Sequence, residues 1–183
     1  LCSLGNGFDI DIPALTRPDL PAFARPLLVG GGIGTAPLYL LARRLKERGV
    51  SPTVILGFNT ASEIIYEKEF KALGLRTLVT TVDGSYGTPG FVTDALPLLA
   101  SASAPSSVGD SVSDPSTVGA SVSDPSTVGA CGYDYCFACG PMPMLKALAE
   151  YAREHNMEAQ ISLEERMACG IGACLGCICK TKE

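Results

Sequence analysis

The stretch RPLLVGGGIGTAPLYLLARRLKERG, residues 25–49, limits what this chain can fold into more than any other part of its 183 residues. Leu27 to Val29 read as a short buried strand, Gly30 to Gly34 as a tight turn, and Ala36 to Arg48 as an amphipathic helix that Gly49 stops. A strand that turns over glycines straight into a helix belongs to a βαβ unit of a parallel sheet. Gly32-x-Gly34-x-x-Pro37 is also a variant of the dinucleotide-binding fingerprint. Its glycines let the backbone approach a pyrophosphate, and the helix N-terminus behind them offers N–H groups and a positive dipole end. Pro37 suits the first helical turn, where its missing N–H has no partner to lose. The acid that usually ends the second strand of such a site is missing, because that strand ends Gly57-Phe58-Asn59. A plain tight turn is the competing reading; the strand before and the helix after favour a nucleotide.

The alternation continues downstream. Thr53 to Phe58 form a second buried strand, and SEIIYEKEFKALG reads as a helix with Ser62 as its N-cap and Gly74 as its stop. LRTLVTTV is a third strand, DGSYGTPG a loop dense in turn residues, and FVTDALPLL the start of another helix. YDYCFAC gives a fourth strand, PMPMLKALAEYAREH its helix, and EAQISLEE a short fifth strand. Between them lies an internal repeat. SVSDPSTVGA occurs twice, at 111–120 and 121–130, behind a degraded copy, SASAPSSVGD. Such Ser-, Ala-, Pro-, Gly- and Asp-rich decamers hold too little apolar surface to offset chain ordering, so disorder is expected over 101–130; a stacked solenoid is the alternative. A flexible insertion of this kind adds little closure entropy.

With 46% hydrophobic residues the chain can bury a core and reads as one globular domain with an appendage. A net charge of −5 and the lack of any Lys/Arg-rich tract argue against nucleic acid or an anionic membrane as partner. The longest uncharged run, Pro26 to Ala42, is 17 residues long but carries four glycines, so it is no membrane span. No basic segment followed by an apolar one opens the chain. Of the eight cysteines most fall in two clusters near glycines, which suits reduced thiols binding metal and a cytoplasmic setting.

Both clusters have the spacing C-x4-C-x2-C: Cys131, Cys136 and Cys139, and again Cys169, Cys174 and Cys177. Context separates them. Residues 133–138 read as a strand, on which Cys136 and Cys139 point to opposite faces and cannot share one cluster. CGIGACLGC has three glycines and no strand alternation, so it can curl around a 2Fe–2S cluster and aim N–H groups at the sulfurs. Structural zinc with Cys179 as fourth thiolate is the alternative, although zinc favours knuckle pairs separated by a longer loop. A weak thioredoxin-like role for Cys136-x-x-Cys139 is a further alternative. Cys2 has no evident role, and His155 reads as a solvated residue favoured by a helix C-terminus. Cys139 closes a strand while Gly140-Pro141 opens a helix, which puts this position at the carboxyl edge of the sheet, where ligands of open α/β sheets bind.

Together LGNGFD, VGGGIGTAPL, DGSYGTPGFVTD, CGPMPML and SLEERMACGIGACLGC strongly resemble one family. It is the iron–sulfur flavoprotein electron-transfer subunit of NAD-dependent dihydroorotate dehydrogenase, in the ferredoxin–NADP reductase superfamily. The resemblance covers nearly all of the chain outside the repeats; its most specific part is SLEERMACGIGACLGC. It implies an α/β fold: an open parallel sheet of the ferredoxin–NADP reductase type, followed by a C-terminal cysteine loop for a 2Fe–2S cluster. It also implies a route from NADH to FAD, through the cluster, to FMN in a separate catalytic subunit that oxidises dihydroorotate in pyrimidine synthesis. By the same resemblance Gly31, Gly32, Gly34 and Thr35 approach the NAD pyrophosphate, and Cys139 lies beside the nicotinamide. Gly140 and Met142 of the same motif count as cofactor-binding positions, and Cys169, Cys174 and Cys177 as three cluster ligands. No catalytic side chain is assigned, since the chemistry belongs to the cofactors. The family pattern further implies truncation at both ends. Residues 1–24 would be the end of a flavin-binding barrel and its linker, 25–163 the NAD domain with its insertion, and 164–183 an incomplete cluster segment. The family's fourth ligand lies further on than this chain extends, and Cys179 stands too close to Cys177 to replace it.

Overall fold

A computed structural model of the protein describes residues 7–11, 25–100 and 132–163. Six strands build one parallel sheet: β1 (Pro26–Gly31), β2 (Thr53–Phe58), β3 (Thr77–Thr81), the two-residue β4 (Thr88–Pro89), β5 (Tyr135–Cys139) and β6 (Glu158–Ser162). Their order across the sheet is β4-β3-β2-β1-β5-β6, with every neighbouring pair parallel. The chain therefore runs outward from β1 through β2 and β3, then returns to the other side of β1. The switch point of such a sheet lies between β1 and β5.

Helices α1 (Thr35–Glu47), α2 (Glu67–Ala72), α3 (Val92–Ala100) and α4 (Met142–Glu154) cover both faces. Strands sandwiched this way read as continuous apolar runs, and every residue of β1 and β5 is buried. Alternate strand residues feed two cores. Leu28, Val54, Leu56, Tyr135 and Phe137 meet Leu38, Leu41, Ala42 and Leu45 of α1 together with Phe70 of α2. Leu27, Val29, Ile55, Cys136 and Ala138 meet Ala95, Leu96 and Leu99 of α3 and Leu145, Leu148 and Ala152 of α4. The 3–4 spacing of the α1 set gives one apolar stripe, and Gly49 ends the helix in the left-handed region at φ +82°.

The sequence expectations hold for all five main strands and for α1, α3 and α4. Three corrections arise. Gly30 and Gly31 complete β1, so the turn proper is a short 3-10 segment, Gly32–Gly34. The helix expected from Ser62 does not form there. Ala61–Glu63 make a single 3-10 turn, Ile64 is extended, and α2 begins only after Tyr66, which sits in the left-handed region at φ +63°. Ser62 caps nothing: its hydroxyl shares a 2.7 Å hydrogen bond with Thr60 Oγ1. The physical cause is local competition, since Glu63 folds back to accept hydrogen bonds from the Asn59 backbone and side-chain amides. Packing of Tyr66 against Tyr39, ring centroids 5.4 Å apart, then fixes the late start. His155 also differs from expectation: it is half-buried, stacked on Tyr151 with ring centroids 3.9 Å apart, and its Nδ1 lies 2.9 Å from the Tyr151 carbonyl.

Residues 7–11 lie against the α1 side of β5 and β6. Phe8 meets Phe137 edge to face at 5.5 Å. Gln160 accepts from the Asp9 N–H at 2.8 Å and donates to the Asp9 carbonyl at 2.9 Å. Arg48 donates to the Ile10 carbonyl and pairs with Asp11 at 2.8 Å. Among the described residues no helix is long and apolar enough to cross a membrane.

Phe137 is fully buried, so Phe137→Ala is expected to lower stability by about 3–5 kcal/mol in thermal or denaturant unfolding. Ser62→Ala is expected to change it by less than about 0.5 kcal/mol; a loss near 1 kcal/mol would restore the N-cap assignment.

Candidate functional site

Every strand is parallel, so the last residues of all of them meet at one edge. Gly31 stands opposite Gly57 across β1 and β2, and Gly57 opposite Thr80 across β2 and β3. Register partners share a face, so these positions form a row on the α3–α4 side in which two of three members have no side chain. Over this row opens a cleft of about 450 Å³, walled by Phe91, Val92 and Thr93 at the start of α3 and by Pro143 and Met144 in the first turn of α4. Asn59 and Glu63 line it beyond the end of β2. Its size falls within the range of small-molecule and cofactor sites.

The β1–α1 turn seats directly on the β5–α4 junction. A Cβ on Gly34 would collide with the Cys139 carbonyl and come within 2.8 Å of the Gly140 nitrogen. On Gly31 it would stand 2.7 Å from the Met144 sulfur and 2.8 Å from Pro141 Cδ. Gly32 is glycine for a different reason: its φ of +53° turns the chain, and the space beside it is open. Thr35 is fully buried and its hydroxyl donates to the Gly32 carbonyl at 2.9 Å, closing the turn. The Thr35 backbone N–H donates back to the Gly32 and Ile33 carbonyls as well.

The predicted nucleotide positions thus come together at the switch point, with different exposures. Gly31, Gly34, Thr35 and Gly140 are buried, Gly32 and Met142 half-buried. Cys139 is 2% exposed and its side chain belongs to the α1-side core, while Cys136 belongs to the opposite one. The opposite-face argument for these two thiols holds. Among the described residues no three His, Cys, Asp or Glu side chains are grouped to hold a metal. Cys169, Cys174 and Cys177, like Cys131, Cys179 and the repeat, lie outside the described residues.

Sequence reasoning missed the far end of the cleft. Two loops are woven together there: the Asp83 N–H donates to the Asn59 carbonyl at 3.1 Å, and the Ala61 N–H to Ser85 Oγ at 2.8 Å. The Ser85 hydroxyl, with its backbone N–H, donates to Asp83 Oδ1 and holds that carboxyl below its usual range. Glu63 reaches Asn59 through Oε2 at 3.0 and 3.2 Å. The only sequence signal was the missing strand-end acid; Glu63, four residues after Asn59, lines the cleft beyond that strand end. Thr80 Oγ1 is a buried oxygen with no hydrogen-bond partner among the described residues.

Ser85→Ala is expected to raise the Asp83 pKa towards its ordinary value, followed by carboxyl NMR through an acid titration. The sign follows from linkage: a depressed carboxyl contributes stability at neutral pH that is lost as pH falls through its folded pKa. Thr80→Val, which removes an unsatisfied buried hydroxyl, is expected to leave the unfolding temperature unchanged or raise it.

Comparison with known proteins agrees with this geometry. The family model of the iron-sulfur cluster binding domain of dihydroorotate dehydrogenase B matches residues 164–183. The dihydroorotate dehydrogenase B (NAD(+)) electron transfer subunit of Fusobacterium nucleatum is 42% identical over 180 residues, covering 98% of this chain and 55% of that one. The corresponding subunit of Shouchella clausii is 43% identical over 180 residues, 98% of this chain and 54% of its own. A chain in the solved structure of an NADH-dependent reduced ferredoxin-NADP oxidoreductase superposes with a TM-score of 0.60 at 34% identity, over 85% of this chain and 46% of that one. This is the open parallel sheet of the ferredoxin–NADP reductase type. The chain spans about half the length of the curated relatives it matches. By these likenesses the chain is homologous, over nearly its whole length, to about half of a dihydroorotate dehydrogenase B electron transfer subunit.

Proposed function

We propose that this α/β unit binds NADH within an electron transfer subunit that serves an FMN-bearing dihydroorotate dehydrogenase catalytic subunit in pyrimidine synthesis. The observation that carries the reading is the seating of the β1–α1 glycine turn on the β5–α4 junction beside the cleft, in a chain 42% identical to subunits of that name. The fit rests on Gly32, which lines the cleft with open space beside its backbone, next to the bare backbone of Gly31 and Gly57. Gly31, Gly32, Gly34 and the start of α1 at Thr35 would take the pyrophosphate. Gly140 and Met142, with Cys139 behind them, would flank the nicotinamide. Cys139 would act from the core, through packing and its backbone, since its side chain is buried.

Cys169, Cys174 and Cys177 would hold a 2Fe–2S cluster, a donor set of soft thiolates with glycines between them. FAD would belong to the barrel domain that the family resemblance implies. Bound together, these groups supply hydride transfer, its division into single electrons, and their onward passage. The chain's own contribution is to bind, orient and shield. Reliance on reduced thiols fits work in the cytoplasm. The 34% identity to a bifurcating oxidoreductase supports a second reading, a subunit of such a complex; the higher identity to the dihydroorotate dehydrogenase subunits and the match over 164–183 favour the first.

With a fourth thiolate supplied, the segment is expected to take up about two irons with acid-labile sulfide per chain on anaerobic reconstitution and to give a rhombic EPR signal on reduction. Cys169→Ser is expected to abolish the iron while NADH affinity stays within about twofold, because the two sites use separate segments. Zinc in place of iron would overturn the cluster assignment; an equal fall in NADH binding would overturn the separation.

A further inference from the structure

We propose that Met144 is a modification site: a peroxide oxidises its thioether to the sulfoxide, and the added oxygen closes the cleft to a nucleotide. The effect on binding rests on the nucleotide reading above; the oxidation itself does not. Cys136, Cys139, Met142, Met144 and Met157 are the sulfur side chains among the described residues. Cys136, Cys139 and Met157 are shielded, at 0%, 2% and 6% exposure. Met142 and Met144 are half-buried, and of these two only Met144 lines the cleft. Access decides which thioether a peroxide reaches, and at this site it favours Met144.

An extra atom on this sulfur has no free direction. The sulfur stands 2.7 Å from the place of a Cβ on Gly31, and the methyl carbon 2.7 Å from that of a Cβ on Gly140. An oxygen turned that way meets the backbone of the two strand-to-helix junctions. On another side Met144 packs against the α3–α4 core, where a polar oxygen would be buried away from water. The remaining direction is the cleft. There the oxygen takes up ligand space and sets a partial negative charge beside the Gly31–Gly32 turn. Among the described residues no lysine or arginine lines the cleft to offset that charge. Nor do Pro141 and Pro143, at the start of α4, carry an N–H that could donate to it.

The oxidant is hydrogen peroxide, which a reduced flavin makes from dioxygen. The sulfur attacks one peroxide oxygen: an S–O bond forms, the O–O bond breaks, and the proton of the transferred oxygen leaves with hydroxide as water. The thioether loses two electrons and the peroxide gains them. A methionine sulfoxide reductase reverses the change with a dithiol, which becomes a disulfide as water is released. The cleft thus closes under peroxide and reopens under reducing conditions.

The test treats the full chain with hydrogen peroxide, then with dithiothreitol, which returns reversibly oxidised thiols and leaves sulfoxides in place. Peptide mass spectrometry locates the sulfoxides, thermal unfolding checks the fold, and nicotinamide fluorescence follows NADH binding. Wild type, Met142→Leu and Met144→Leu are each compared with their own untreated sample. In the wild type Met144 is expected to convert ahead of Met157, with NADH then bound about tenfold more weakly and the loss restored by methionine sulfoxide reductase. Met142→Leu is expected to show the same loss, and Met144→Leu none relative to its own starting affinity. Full conversion of Met144 in a folded chain with unchanged NADH affinity would overturn the closure, as would an equal loss in Met144→Leu. A Met144 that resists peroxide while Met142 converts would overturn the site itself. Failure of the untreated wild type to bind NADH would overturn the nucleotide reading and the closure with it; the position of the sulfoxide still decides whether Met144 is the residue oxidised.

Discussion

Where β1 and β5 run side by side, the Cys139 carbonyl fills the space that a side chain on Gly34 would need, and Met144 with Pro141 fills the space beside Gly31. Two strand-to-helix junctions therefore meet backbone to backbone, and the cleft exists because they do. A methyl group at either glycine would force them apart, at a cost of about 1–3 kcal/mol for overpacking alone. The helix N-terminus of α1 would then no longer stand beside that of α4. Gly57 and Thr80 continue the row from Gly31, and the constraint continues with them, since Val92 of α3 packs where a side chain on Gly57 would stand. Close packing at the switch point is thus at once the source of stability and the reason for a site there.

The alternation that builds two cores also decides the fate of the thiols. On β5, Cys136 joins the α3–α4 core and Cys139 the α1 core, so the sheet itself separates two sulfurs whose spacing copies that of the C-terminal set. Identical spacing has opposite chemical meaning on a strand and on a glycine-rich loop. Burial at 0% and 2% exposure keeps both away from bulk solvent and gives them the packing role of small apolar residues.

What the sequence revealed follows from the range of the forces involved. Strands β1 and β5, and helices α1 and α4, are fixed by apolar periodicity and by glycine or proline at their ends, all visible within a dozen residues. The convergence of Gly31, Gly34 and Gly140 was also legible, because a parallel sheet brings such turns to one edge. The late start of α2 was not. Helical periodicity ran through Ser62 to Leu73, but the chain breaks because Glu63 binds back to Asn59 and Tyr66 packs at a tilt against Tyr39. The acid at the far end of the cleft was hidden for the same reason: a side chain reaching back four residues leaves no mark on a pattern of strand-end residues. Thr80 and Met144 entered the site only through register and packing, which connect residues far apart in sequence.

Register also fixes where the chain leaves the sheet. Gly30 of β1 stands opposite Cys139 of β5, and Cys139 opposite Ser162 of β6. The three strands run in one direction, so the chain leaves β6 at the same edge where the glycine turn leaves β1. Two strand spacings, about 10 Å, separate these exits laterally. An antiparallel β6 would have released the chain at the opposite edge, a strand length away. The β5–α4–β6 crossover between parallel strands is therefore more than a way to bury Leu145 and Leu148. It returns the backbone to the edge where the glycine turn leaves β1 before the sequence continues into residues 164–183.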